Sequence, residues 1–191
     1  MTPARLRLLS MALIVLEAGL VSLSWSQTWY LIRLSGSEYP VGGDIAGGAL
    51  LPLALASLTL VLALALAGPV FRVILGVLDA LLGVCVVVVG AWSLSDPVRA
   101  SLPVLVEGTG IASADALAEA VTGTVATAWP FAGLAGGALM ILTGIGVAAT
   151  SRAWPAGGGR YTRTRAVTPE GSAIQDWDAL SDGEDPTDPS R

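Results

Sequence analysis

Two carboxyl side chains stand inside long apolar segments of the sequence. Asp79 interrupts "VILGVLDALLGVCVVVVG" at residues 73–90, and Glu17 interrupts "LLSMALIVLEAGLVSLS" at residues 8–24. A charge at the centre of a bilayer costs at least about 2.5–3.5 kcal/mol, so such acids usually face other helices. Three interpretations are possible. The acids form hydrogen bonds between helices, they belong to a proton or substrate pathway, or they lie near the membrane surface, where a charge costs little and has no role.

Other residue types that support catalysis are scarce. The chain has no histidine, the commonest general base and metal ligand, and its one cysteine, Cys85, lies in an apolar run typical of a small buried hydrophobe. Gly157, Gly158 and Gly159 lack the lysine and the preceding strand of a phosphate loop, so they indicate a linker. We expect no catalytic, metal or cofactor site, no enzymatic activity and no nucleic-acid binding.

Composition favours a membrane protein. The 191 residues are 53% hydrophobic and 13% charged, against roughly 25% charged in a soluble domain. A spanning helix needs about 20 mostly apolar residues, and four segments meet this. We therefore predict an all-α integral membrane fold, a four-helix bundle at residues 1–151 followed by a tail at 152–191, with spans at 6–26, 49–67, 71–94 and 129–150 and outer loops at 27–48 and 95–128.

The arginines predict the orientation in the membrane. Short flanks rich in Lys or Arg face the cytoplasm, and the arginines cluster before the first span, between the second and third, and after the fourth. We therefore expect a multi-pass protein of the plasma membrane with both termini in the cytoplasm. The alternative interpretation makes the first span a cleaved signal peptide, with a basic start, an apolar stretch and the small-x-small triplet Ser22-Leu23-Ser24. The cytoplasmic arginines would be Arg5, Arg7, Arg72, Arg152, Arg160, Arg163 and Arg165.

Glycine spacing predicts which faces of the spans meet. Gly76, Gly83 and Gly90 repeat every seven residues, and Asp79 follows the first by three, which places it on the same helix face. Counting 1.5 Å per residue puts Glu17 about 16 Å and Asp79 about 10 Å from their inner ends. We expect the two carboxyls at similar depth on facing seams, sharing a proton if they meet, with Arg72 reaching partway toward Asp79. The fourth span carries a comparable stripe at Gly133, Gly137 and Gly144.

The outer loops predict a small extracytoplasmic cap with short β-strands and an amphipathic helix. Residues 29–34 alternate as in a strand, and "LPVLVEG" at 102–108 is also β-prone. Ser113 is a plausible N-cap for a helix bearing Leu117, Val121 and Val125 on one face. Irregular loops are the alternative. We expect an aromatic belt at the outer surface, formed by Trp25, Trp29, Tyr30, Trp92 and Trp129, with Trp154 at the inner one.

The tail changes character along its length. "PAGGGRYTRTR" is basic and is expected to attract anionic lipid, whereas "IQDWDALSDGEDPTDPSR" is acidic. Within the acidic part, Ile174, Trp177 and Leu180 are spaced for one face of a short helix. A disordered, solvated tail is one interpretation. The other is a docking peptide with these three residues as anchors and acids such as Glu184 and Asp185 giving orientation.

Four stretches support a resemblance: "LSGSE", "AWPFAGLAGGALMILTGIGV", "RAWPAGGGRY" and "DWDALSDGEDPT". They resemble the actinobacterial Trp biosynthesis-associated membrane protein family. That resemblance implies four spans and a gene within or beside the tryptophan biosynthetic operon. It implies no known activity, and no catalytic residue is carried over from it. At Asp182 the chain departs from the basic residue common in the family's tail.

Two functions fit these observations. The first is a non-enzymatic membrane scaffold whose tail docks a cytoplasmic protein, for which a tryptophan-pathway enzyme is a candidate. The alternative is a small transporter or transport accessory for an aromatic metabolite, using Glu17 and Asp79 as proton or substrate groups. Both hypotheses have the lipid bilayer as a partner, and a homo-oligomer is compatible with either.

Overall fold

The computed structural model describes residues 2–34 and 36–154, which belong to one compact unit ending at Pro155. In this range the fold is mostly helical with one small sheet. The predictions made for the tail at 155–191 lie outside the described residues. In chain order the elements are α1 (Pro3–Trp25), β1 (Thr28–Leu34), β2 (Ser37–Gly42), α2 (Gly43–Ala46), α3 (Leu50–Leu66), α4 (Pro69–Ser95), α5 (Pro97–Ala100), α6 (Leu102–Thr109), α7 (Ala114–Ala120), β3 (Val121–Ala126), α8 (Trp129–Thr150) and a 3-10 turn (Ser151–Ala153).

Three helices are long and apolar enough to cross a membrane: α1, α4 and α8. The fourth predicted span forms the helix α3, which is apolar but has only 17 residues. The ends of all four helices differ by a few residues at most from the predicted segments. Prolines begin α1 and α4, because the first turn of a helix needs no N–H donor from that position.

Glycines allow α4 and α8 to pack closely. A Cβ atom on Gly76 would lie 2.7 Å from the carbonyl oxygen of Gly144, and one on Gly83 would lie 2.6 Å from that of Gly137. Real Cβ atoms are not found so close to backbone, so these positions need glycine. Gly90 faces the side chain of Leu134, and the repeat in α4 therefore follows α8 along its length.

The same helix α8 also packs on α1. A Cβ on Gly133 would meet the hydroxyl of Ser24 at 2.9 Å, and one on Gly136 would meet the side chain of Val21 at 2.6 Å. Helix α3 completes the bundle against α1 and α4. Cys85 lies exposed on α4, so the expectation of a buried side chain was wrong at this position.

Beyond one end of the long helices, the three strands and the short helices α2, α5, α6 and α7 form what we call the sheet layer. Its strand order is β2-β1-β3, with both pairs antiparallel. The strand predicted from residues 29–34 is confirmed as β1. Trp29 and Tyr30 are fully buried in the core of this layer, so the prediction that they line an outer aromatic belt was wrong.

Two predictions for the second loop were wrong. "LPVLVEG" forms the helix α6, because Pro103 suits a first helical turn and Gly110, at φ +72°, ends the helix in the left-handed region. Ser113 does cap α7 by accepting a hydrogen bond from the Ala116 N–H, but that helix ends at Ala120. The β-branched residues that follow extend β3 along the edge of β1.

The glycine seam gives a matched pair of substitutions. We expect Gly83→Ala to lower the stability of the bundle by about 1–3 kcal/mol, because the added methyl overpacks the contact with α8. Gly146→Ala is the control, since its Cβ would meet nothing within 4 Å. The measurement is thermal unfolding in detergent. Equal midpoint temperatures for the two variants would contradict the close contact between the glycines of α4 and α8.

Candidate functional site: a carboxyl pair between four helices

Each of the four long helices contributes one polar residue to a common buried cluster. Glu17 comes from α1, Ser57 from α3, Asp79 from α4 and Thr143 from α8. Their exposed fractions are 1%, 0%, 1% and 8%. Apolar sequence surrounds each of them, so the helices bury their apolar faces only by bringing these four polar side chains together. We call this set the carboxyl cluster.

Hydroxyl groups hold one oxygen of each carboxyl. The Ser57 hydroxyl donates to Asp79 Oδ1 at 2.7 Å, and the Thr143 hydroxyl donates to Glu17 Oε2 at 2.9 Å. Helix α3 is thereby joined to α4, and α8 to α1. The other two oxygens, Glu17 Oε1 and Asp79 Oδ2, receive no hydroxyl or amide donor.

The two carboxyl groups also lie close enough to each other to interact. An ionised carboxylate only accepts hydrogen bonds, so a direct bond between the two groups would require a proton on one of them. The cluster extends across the bundle in the order Ser57, Asp79, Glu17 and Thr143.

Basic side chains gather at the end of the bundle remote from the sheet layer. Arg7 donates to the carbonyl oxygen of Ala65 at 2.7 Å. The guanidinium of Arg72 lies over the Trp154 ring, 5.6 Å from its centroid, and both side chains are buried. The sequence predicted that Arg72 reaches partway toward Asp79. The structure places its guanidinium against Trp154, which fixes the chain where α8 ends. The position of Trp154 at the inner membrane surface stays a prediction.

A second polar connection ties the sheet layer to the helices. The Tyr30 and Ser93 hydroxyls are 3.0 Å apart, and both residues are buried. Burial raises the pKa of the Tyr30 hydroxyl above its ordinary value, an effect that the Ser93 hydrogen bond opposes. The Trp29 indole donates to the Ser24 carbonyl at 2.8 Å, and the Ser24 hydroxyl donates to the Trp129 carbonyl at 2.7 Å. One strand is therefore anchored to α1 and α4.

The charged residues of the sheet layer are mostly acidic: Glu38, Asp44, Asp96, Glu107, Asp115 and Glu119 stand against Arg33 and Arg99. Arg33 pairs with Glu38 at 3.3 Å, and Arg99 with Asp96 at 3.6 Å, all with well-exposed side chains. Such exposed pairs contribute little to stability. Within residues 2–34 and 36–154, no group of three or more His, Cys, Asp or Glu side chains is placed to hold a metal ion.

The structure therefore brings together the two acids singled out in the sequence. It places the packing glycines Gly76, Gly83, Gly133, Gly137 and Gly144 in the helix contacts. Sequence reasoning missed Ser57 and Thr143, because hydroxyl residues such as the exposed Thr59 also occur in these apolar helices without bonding a carboxyl. The predicted docking residues lie outside the described part of the chain: Ile174, Trp177, Leu180, Glu184 and Asp185.

The carboxyl cluster predicts non-additive stability changes. Asp79→Leu or Glu17→Leu alone leaves the other carboxyl and a hydroxyl without their partner, which should cost about 1–3 kcal/mol. The double variant should lose clearly less than the sum, because both members of the pair are removed together. Glu17→Gln should lose less than Glu17→Leu, since an amide still accepts from Thr143 and donates to Asp79.

Unfolding in detergent measures this cycle. Thr59→Val is the matched control, because the Thr59 hydroxyl is exposed on α3 and bonds only the Ala56 carbonyl of its own helix. Strict additivity of the Glu17 and Asp79 substitutions would show that the two carboxyls do not interact.

Comparison with known proteins places this architecture in a family. The sequence model of the tryptophan-associated transmembrane protein family matches residues 11–187, so it covers the helices, the sheet layer and most of the tail. No curated protein and no solved structure matches the chain. The match confirms the resemblance drawn from the sequence motifs. The chain is a member of the tryptophan-associated transmembrane protein family.

Proposed function

We propose that this protein is a non-enzymatic scaffold of the plasma membrane that docks a cytoplasmic protein through its tail, in association with tryptophan biosynthesis. One observation carries the proposal. Each of the four helices contributes one buried polar side chain to the carboxyl cluster, with both acids 1% exposed and each bonded to a hydroxyl group. A membrane domain of this kind is suited to anchoring, because the hydroxyl–carboxyl hydrogen bonds join its helices.

The scaffold is proposed to cross the membrane four times. At 1.5 Å per residue, the 17 residues of α3 extend about 26 Å, and spans as short as about 17 residues are known. Helix α3 packs beside α1 and α4, and its buried hydroxyl, Ser57, faces Asp79 rather than lipid. These contacts support a fourth crossing.

The proposed orientation has the tail and both termini in the cytoplasm. Arg7 lies beside the end of α3, Arg72 lies near the start of α4, and Arg152 follows α8, so these basic residues share one end of the bundle. Short flanks with such an excess of arginine remain on the cytoplasmic side. The acidic sheet layer would then face outward.

The tail is proposed as the docking element. The family's sequence model extends to residue 187, so the acidic segment belongs to the pattern that defines the family. Trp177 and Leu180 would be the apolar anchors, Ile174 would lie on the same helical face, and Glu184 and Asp185 would orient the partner. A segment that folds on binding gains affinity mainly from such anchors, because the acids stay solvated at the rim.

A pull-down tests the docking role. The full-length protein in nanodiscs should capture a tryptophan-pathway enzyme from a lysate of its own organism, and Trp177→Ala with Leu180→Ala should reduce recovery by at least tenfold. The control is a variant in which the order of residues 170–191 is scrambled, so that the net charge of the tail is unchanged. Equal recovery by the native and scrambled tails would overturn the docking hypothesis.

A second function is supported by the proximity of two buried carboxyl groups, Glu17 and Asp79, within the carboxyl cluster. Two intramembrane acids in contact are typical of proton-coupled transport, and the protein would then act as a transporter or transport accessory for an aromatic metabolite. Uptake or efflux of tryptophan by proteoliposomes should fall at least tenfold in Glu17→Gln and Asp79→Asn, while Thr59→Val keeps wild-type flux. Flux no higher than in empty liposomes would reject this alternative.

A further inference from the structure

An apolar groove runs between α4 and α8 on the outside of the bundle. It has a volume of about 350 Å3 and is lined by Val77, Ala80, Leu81, Val84, Ile141, Gly144, Ile145 and Ala148. The groove is deep at its centre because the small residues Gly144 and Ala80 are in backbone contact there. Its sides are formed by larger side chains that project from the bundle, since the exposed fractions of Val77, Leu81 and Ile145 are 48%, 55% and 56%.

The groove lies in the half of the bundle nearer the basic end. Ala148 is two residues from the end of α8, and Val77 is eight residues from the start of α4. On a helix of 3.6 residues per turn, positions 141, 145 and 148 follow one face. The 3-10 turn Ser151–Ala153 follows α8 directly and contacts α4. Arg152, in this turn, therefore lies just beyond the basic end of the groove, and its side chain is exposed.

We propose that this groove binds one anionic phospholipid, with an acyl chain lying between α4 and α8 and the headgroup phosphate at Arg152. The groove supplies an apolar channel along the helices, and the arginine supplies a cation where a headgroup would lie. A basic side chain above a cleft between transmembrane helices is a known arrangement for anionic headgroups. The inference is independent of the tail, and its failure would leave the scaffold proposal untouched.

A phospholipid fits this face better than a second copy of the chain. Two copies in one membrane have parallel orientations, and a symmetric contact through the groove would bring the two Arg152 side chains to the same end of the interface. Like charges placed together oppose association. An anionic headgroup neutralises the same arginine.

Native mass spectrometry of the full-length protein tests the proposal. The protein would be released from nanodiscs of phosphatidylcholine and phosphatidylglycerol in equal amounts. The expected result is one retained phosphatidylglycerol per chain, in clear preference to phosphatidylcholine. Arg152→Ala should reduce that retention about fivefold, and Ala148→Leu should reduce it at least as much by filling the groove.

Matched variants separate the site from general effects. Arg5→Ala removes another exposed arginine, on α1, and Leu142→Phe enlarges a side chain of α8 that is 66% exposed and does not line the groove. Both should retain lipid like the wild type. If Ala148→Leu fails to fold, as judged by helicity and elution volume, Ile145→Trp at the rim serves in its place.

Three results would overturn the proposal. One is retention unchanged by Arg152→Ala and by the groove substitution. Another is an equal loss in Arg5→Ala, which would indicate diffuse attraction to the membrane surface. The third is a dimer that the groove substitution dissociates, which would make a second chain the occupant.

Discussion

The hydrogen bonds of the carboxyl cluster determine how the helices of the bundle are aligned with one another. Inside a bilayer no water is available to solvate a carboxyl group, so an unmatched one costs several kcal/mol. Glu17 and Asp79 avoid that cost only if they lie together and each accepts a hydroxyl hydrogen bond. The register of α1, α3, α4 and α8 is therefore fixed at one level, because a sliding helix would withdraw its polar residue from the other three.

Close packing makes this contact geometrically feasible. Asp has a short side chain, and Asp79 reaches α1 and α3 from a helix that also packs along α8. Gly76 and Gly83 lie three residues before and four after Asp79, and both are in contact with the backbone of α8. The glycines thus bring the backbones together at the depth where the acids meet. The glycine contacts and the carboxyl hydrogen bonds therefore favour the same arrangement of helices, as expected of a sequence that specifies one fold.

The sequence was sufficient to predict the long helices and much of the carboxyl cluster, because both depend on strong local signals. Long apolar segments define spanning helices, and glycines at seven-residue intervals placed Asp79 on a contact face. The hydroxyl partners Ser57 and Thr143 could not be assigned, since their role depends on which helices become neighbours. Arg72 was misplaced for the same reason, because its contact with Trp154 joins parts of the chain that are distant in sequence.

The sheet layer was predicted less well, and the physical reason is tertiary context. Residues 102–108 are β-prone, yet Leu105 is buried within a short helix that has Pro103 in its first turn. Residues 121–126 continue an amphipathic helical pattern, yet the open edge of β1 captures them as a strand. Where segments are this short, intrinsic preferences of under about 1 kcal/mol are easily overridden by burial and by strand pairing.

The pairing of β1 with β3 has a consequence for biogenesis. Hydrogen bonds to β1 from β3 and from the residue after it join positions 89 and 99 apart, as in Thr122 with Arg33 and Thr127 with Thr28. During translation the hairpin of β1 and β2 emerges long before β3, so one edge of β1 stays unpaired while the middle of the chain is synthesised and inserted. An open β-edge is a site for illegitimate association. A nascent chain that stalls before residue 121 would display that edge, whereas in the finished chain β3 covers it.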